Sequence, residues 1–211
     1  MAWWGEALVL GPNINAPMTP EAAAPALAAL ANAIELSPGA SAKDRALIAA
    51  LQKRYSADPK AERAALDAAY ADAMKKVAAR FPDDTVRTLY AEAMMDTQPW
   101  DYWEARGTKP KGHGATIVST LEKVLTRNPA HPGAIHLYIH AVEASDRPER
   151  ALPYAKRLGS LMPGAGHIVH MPAHIYYRVG MYRESLETNK RAMAVDERYF
   201  ATSPSDPLYR S

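Results

Sequence analysis

Two stretches, Pro132-Gly-Ala-Ile-His136-Leu-Tyr-Ile-His140-Ala-Val-Glu143 and Gly166-His-Ile-Val-His170-Met-Pro-Ala-His174-Ile-Tyr-Tyr177, stand 34 residues apart and carry histidine at the same two places. A spacing of four puts both imidazoles of each pair on one face of a helix. The register extends without gaps over residues 132–163 and 166–197, where Leu152 meets Leu186 and Lys156-Arg157 meets Lys190-Arg191. Ala151 falls opposite Ser185. Tyr138, Val142 and Leu158 in one unit, and Tyr176 and Ala192 in the next, recur where two antiparallel helices should touch. Only five of the 32 aligned positions are identical, and two of the five are the histidines. The unit is therefore an old helix–turn–helix repeat in which the histidine pair stands out against general divergence.

The run Tyr176-Tyr-Arg-Val-Gly180-Met-Tyr182-Arg-Glu-Ser185-Leu186, followed by Arg191-Ala192, resembles a tetratricopeptide (TPR) repeat, whose period is 34 residues. A small residue closes the inter-helix turn, an aromatic follows, and small residues let the helices pack closely. The resemblance is best over 166–197, extends to 132–163 and thins upstream. Asp146 stands where Gly180 does, so the first turn departs from the pattern. The resemblance implies an all-α fold, a right-handed α-solenoid of antiparallel helix pairs whose first helices line a concave groove. It also implies protein interaction as the default use of that groove, although fold does not fix function.

At 211 residues the chain reads as a single TPR-like helical repeat domain, 1–211, with a structured insertion at 97–112 containing Trp100, Tyr102 and Trp103. Helices are expected at about 2–10, 20–36, 42–55, 59–80, 85–96, 114–127, 132–145, 147–161, 168–179 and 181–197. Thr19-Pro20-Glu21 is a helix start, with a capping Thr and Pro in the first turn. Pro25 and Pro153, each five residues after a first-turn proline, should bend their helices. Pro172 falls between His170 and His174, where the helix must begin or kink. Ala2-Trp-Trp-Gly-Glu-Ala-Leu8 reads like the middle of a repeat's first helix, and Ser203-Pro-Ser-Asp-Pro207 ends the pattern abruptly. Terminal repeats normally carry a polar capping face. The chain is therefore expected to be part of a longer protein, and a homo-oligomer would equally supply the missing neighbours.

Composition excludes several classes. Formal charge is +2, from 25 basic and 23 acidic residues in mixed order, so no basic stripe invites nucleic acid. No apolar run is long enough for a membrane span, and Met1-Ala-Trp-Trp-Gly lacks the basic leader of a secretory signal. The compartment stays open. Absence of Cys excludes disulfides, thiolate ligands and cysteine catalysis. No phosphate loop, dinucleotide turn, GxSxG elbow or HExxH is present.

Imidazole is the commonest protein ligand for transition metals. Aligning first helices on an aromatic or apolar residue yields one column, Glu6, Glu92, His140 and His174, facing the groove. Adding the other half of each pair, and Glu143 three residues after His140, the candidate ligands are His136, His140, His170, His174, Glu143 and Glu92. A carboxylate could complete the shell or orient an imidazole from behind. A nitrogen and carboxylate set suits a divalent transition metal (Zn, Cu, Fe, Ni or Mn) better than Ca or Mg. His167, three residues before the second pair, could join; His131 reads as a turn residue, and His113 as a helix cap or pocket wall. A single HxxxH is a weak signal, because one histidine on a helix face is usually just hydrogen-bonded; two in register carry the hypothesis. Two alternatives remain. A metal-free TPR adaptor would bind a peptide or partner protein in the same groove, with the carboxylates raising histidine pKa values. A metal-dependent hydrolase or oxidase would use His136, His140 and His174 as ligands and Glu92 or Glu143 as general base.

Overall fold

The computed structural model describes residues 1–202, so the abrupt end read at Ser203–Pro207 lies outside them. Helices account for nearly all the regular structure: α1 (Ala2–Val9), α2 (Pro20–Glu35), α3 (Ala42–Leu51), α4 (Arg63–Arg80), α5 (Asp84–Asp96), α6 (Gly114–Arg127), α7 (Pro132–Val142), α8 (Leu152–Leu161), α9 (Gly166–His170), α10 (Pro172–Arg178) and α11 (Tyr182–Thr202). Two two-residue strands, β1 (Trp103–Glu104) and β2 (Lys109–Pro110), pair antiparallel inside the insertion. Contacts group the chain into two compact units. The first comprises residues 1–102 and 111–120, and the second residues 103–110 and 121 onward.

In the first unit the helices start where short side chains can hold exposed N–H groups. The Ser41 hydroxyl accepts from the Asp44 amide at 3.1 Å, and the Asp83 carboxylate from the Val86 amide at 2.9 Å. Thr19 has the extended backbone of a cap but makes no side-chain cap bond; Pro20 in the first turn carries the start instead. α4 begins at Arg63 rather than at Pro59, because Asp58 to Glu62 is taken up by turns. Pro25 does lie inside α2. The core is rich in alanine (Ala7, Ala26, Ala29, Ala33) among Leu30, Leu51 and Met74, which lets helix axes approach closely. Through it runs a buried ion pair, Arg54 to Asp96 at 2.5 Å, and Arg54 also donates to the Pro12 carbonyl.

The second unit contains the repeats. α7 packs on α8, α9 and α10 pack on α11, and α8 contacts both α9 and α10. Ile135, Ile139, Ala141, Ala155, Leu158, Met171 and Ile175 are wholly buried between them. At the second turn Gly180 takes φ +80°, and the Met181 amide bonds the Tyr176 carbonyl at 2.8 Å, a glycine-terminated helix end. The first turn, where Asp146 replaces that glycine, is held from outside. The Asp146 amide bonds the Gly107 carbonyl of the insertion at 3.1 Å, and the Trp103 indole N–H bonds the Ala141 carbonyl at 2.6 Å. One expectation is corrected here. The helix read from 147 opens as a 3-10 turn, Pro148–Ala151, before α8 starts at Leu152, so Pro153 sits in the first turn of α8 rather than inside a helix. Its missing N–H would have had no partner there anyway.

Candidate metal centre

α7 starts with His131, whose Nδ1 accepts from the Ala134 amide at 3.1 Å, and Pro132 at the first helical position. The turn reading of His131 thus sharpens to a cap. From that start His136 and His140 fall one turn apart on one face, ring centroids 4.9 Å apart. The second pair should have been spoiled by Pro172, which has no N–H to give the helix ladder. The ladder does break, dividing α9 from α10, yet Met171 keeps helical dihedrals (φ −49°, ψ −38°). Register therefore survives: the His170 and His174 rings lie 4.8 Å apart, with Nε2 to Nε2 at 2.9 Å.

The two pairs meet. His140 and His174 rings are 5.4 Å apart. His167, a lesser candidate in the sequence, points into the same place: its Nε2 lies 3.1 Å from Nε2 of His136. Among the described residues two groups could each hold an ion, His136 with His140 and His167, and His140 with Glu143 and His174, each with donor atoms within 4.8 Å of one another. His140, only 2% exposed, belongs to both. Glu92 lies on α5, in the first unit, and belongs to neither group; Glu6 is exposed on α1. The His113 amide donates to the Gln98 side chain at 2.8 Å.

Glu143 organises the second group. Its Oε1 faces Nδ1 of His140 at 3.2 Å and its Oε2 faces Nδ1 of His174 at 2.8 Å. Burial opposes its ionisation, but the bonds from both imidazoles outweigh burial and hold its carboxyl at about 2. A carboxylate with both oxygens engaged and so low a pKa is a poor general base. Its geometry is that of an orienting group, which keeps the proton on Nδ1 and leaves Nε2 as the donor nitrogen. The sequence missed a parallel partner for His170: Oδ1 of Asn189, on α11, lies 2.6 Å from its Nδ1. Only the packing of α11 brings them together, and no spacing signal marks it.

Burial and crowding favour the neutral form of His136, His140 and His167. The His136 pKa falls well below 6.5, chiefly through burial and then through the neighbouring charges of His140, His167 and His174. His167 is lowered to about 4 for the same reasons, burial first. His140 is also lowered by burial, against the pull of Glu143. Neutral imidazole is the form that binds a metal. A recess of about 390 Å³ opens over the second pair, lined by Glu143, His170, His174, Tyr177, Arg178 and Asn189 among others. A separate groove of about 470 Å³ beside α8 and α11 is lined by Lys156, Arg191 and Arg198 and by no histidine.

No family model matches the chain, and no curated protein matches it. Among solved structures it is similar to MamA MSR-1 C2, at a TM-score of 0.52 with 16% sequence identity, over 94% of each chain. At that identity the likeness speaks to fold alone. MamA is a TPR-like protein, and together with the repeat geometry this makes the chain an all-α, TPR-like helical repeat.

Proposed function

We propose that the second unit is a TPR-like scaffold holding a divalent transition metal between its two repeats, with His136, His140, His167, His170 and His174 as the donor pool. One observation carries this: two Nε2–Nε2 contacts, His136 to His167 at 3.1 Å and His170 to His174 at 2.9 Å, with the His140 ring 4.9 Å from that of His136 and 5.4 Å from that of His174. Nitrogens sharing an ion at about 2.0–2.1 Å stand about 2.9–3.4 Å apart along the edge of a coordination polyhedron. Five imidazoles with no thiolate favour Zn, Cu(II) or Ni over harder ions, with Fe(II) and Mn behind them. When bound, the ion would supply a clamp between repeats and, at any open position, a Lewis acid. The protein's own contribution is to gather the nitrogens, to favour the neutral form of His136, His140 and His167, and to orient His140 and His174 through Glu143.

Elemental analysis of protein purified without an affinity tag or chelator tests this, beside the His140→Ala/His174→Ala double variant. Near-stoichiometric metal in the parent and its loss in the variant is the expected outcome; a parent that neither carries metal nor takes it up on titration refutes it.

A second reading, a protein or peptide docking face, draws on the TPR-like fold and on an exposed aromatic pair beside the recess. Tyr177 and Tyr182 stack edge to face at 5.5 Å while more than 60% exposed (63% and 64%). On that reading, histidine substitutions weaken partner binding while metal content stays at zero. No helix among the described residues is long and apolar enough to cross a membrane.

A further inference from the structure

The repeat alignment that matches the histidine pairs also reveals where they differ. Asn189 occupies the position of Ala155 in the preceding repeat, and Glu143 the position of Tyr177 in the following one. Ala155 is wholly buried and has no polar group to offer His136. His170, by contrast, meets Oδ1 of Asn189 at 2.6 Å, and the Asn189 amide nitrogen donates to the Ser185 carbonyl at 3.1 Å. That second bond decides which end of the amide faces the ring: the oxygen does. Ser185 is itself fixed, since its buried hydroxyl donates to the Ala173 carbonyl of α10 at 3.1 Å. An acceptor at Nδ1 requires the Nδ1–H tautomer, so Nε2 of neutral His170 is a bare lone pair. Glu143 imposes the same tautomer on His174. Two bare Nε2 lone pairs then face each other at 2.9 Å. Such a contact repels unless a cation lies against both nitrogens, and it is the arrangement two ligands of one ion adopt. His136 and His167, at 3.1 Å, carry no such constraint, because either can donate Nε2–H to the other.

Building on the metal reading above, we infer that the His170–His174 edge is the primary seat of the ion and that Asn189 is a positioning residue, acting through the tautomer of His170. The seat opens on the recess that Asn189 and His174 line, so ions reach it without unfolding of the repeat.

Tautomer and affinity are read separately. In metal-free protein at pH 9, long-range proton–nitrogen correlation spectra of ¹⁵N-histidine-labelled chain should show His170 and His174 as Nδ1–H tautomers. Asn189→Leu should move His170 to the Nε2–H form and weaken Zn(II) and Co(II) binding by about tenfold to a hundredfold. Asn189→Asp, which keeps an acceptor oxygen, should restore both. His136→Ala should cost less affinity than His170→Ala. A wild-type His170 already in the Nε2–H form overturns the inference, as does an Asn189→Leu variant with unchanged affinity. If the expected tautomers are seen but wild type binds neither ion, the metal reading itself falls and the role given to Asn189 falls with it. Should Asn189→Leu fail to fold, the wild-type spectrum and the Asp variant still decide.

Discussion

Glu143 is 8% exposed and has one oxygen on each of two imidazoles, so its charge is held by bonds that a neutral amide cannot duplicate. In Glu143→Gln the amide oxygen can accept from only one of the two Nδ1–H groups, and its NH2 would face the other. One histidine must then change tautomer or turn away. Metal affinity should fall by about tenfold to a hundredfold, with helical content unchanged because the side chains match in size. Competition against a chromophoric chelator measures this; equal affinity in the variant would remove Glu143 from the site. The histidine pairs and Glu143 were legible in the sequence because each depends only on helical spacing within one segment. His167 was half legible, three residues from a pair but on the far side of the Pro172 break. Asn189 was not legible at all, because its partner lies 19 residues away and across a helix packing. Glu92, which a pattern match along the column set beside the histidines, lies in the other compact unit and in neither of the two donor groups.

At the scale of elements, the start of α2 could be read from Pro20, the second repeat turn from Gly180, and the existence of an insertion from its prolines and aromatics, whereas α4 and α8 start later than their prolines suggested. What the insertion does could not. Spacing says nothing of a loop returning to a turn some forty residues later in the chain. Its tip turns at Gly107, φ +87°, where a Cβ would lie 2.6 Å from the Ala144 carbonyl oxygen, the Ser145 carbonyl carbon and the Asp146 amide nitrogen. All three are backbone atoms, so nothing can move aside cheaply. Gly107→Ala therefore combines a disfavoured backbone conformation with loss of the Gly107–Asp146 hydrogen bond that stands in for the missing turn glycine. The expected cost is about 2–4 kcal/mol of unfolding free energy, read by urea titration. Because the turn it supports directly follows Glu143, metal affinity should fall as well. A variant as stable as the parent would show that the insertion merely lies against the repeat.

For the molecule as a whole, the buried imidazoles make stability depend on pH in a direction that can be worked out. His136, His140 and His167 have folded pKa values below 6.5, His167 near 4. Between those limits the unfolded chain binds protons that the folded chain refuses, so stability is full above about 6.5 and is lost as pH falls toward 4. Glu143 acts in the same sense further down, its contribution lost between 4.5 and about 2. Each group can add a slope of at most about 1.4 kcal/mol per pH unit. The unfolding that matters is that of the second unit. Trp103, the only tryptophan in that unit's sequence and bonded to the Ala141 carbonyl, reports it by fluorescence once Trp3, Trp4 and Trp100 are replaced by Phe. In metal-free protein the urea midpoint should drop steadily from pH 7 to pH 4.5. Replacing His136 and His167 together by Gln should flatten that decline. Bound metal adds stability where the nitrogens are neutral, about 2.7 kcal/mol at a hundred times its dissociation constant. Protons compete for the same nitrogens, so the metal-loaded and metal-free curves should converge as pH approaches 4. A midpoint flat across this range in metal-free protein would mean that these imidazoles take up protons as readily in the folded chain as in the unfolded one, and so are not held neutral by burial.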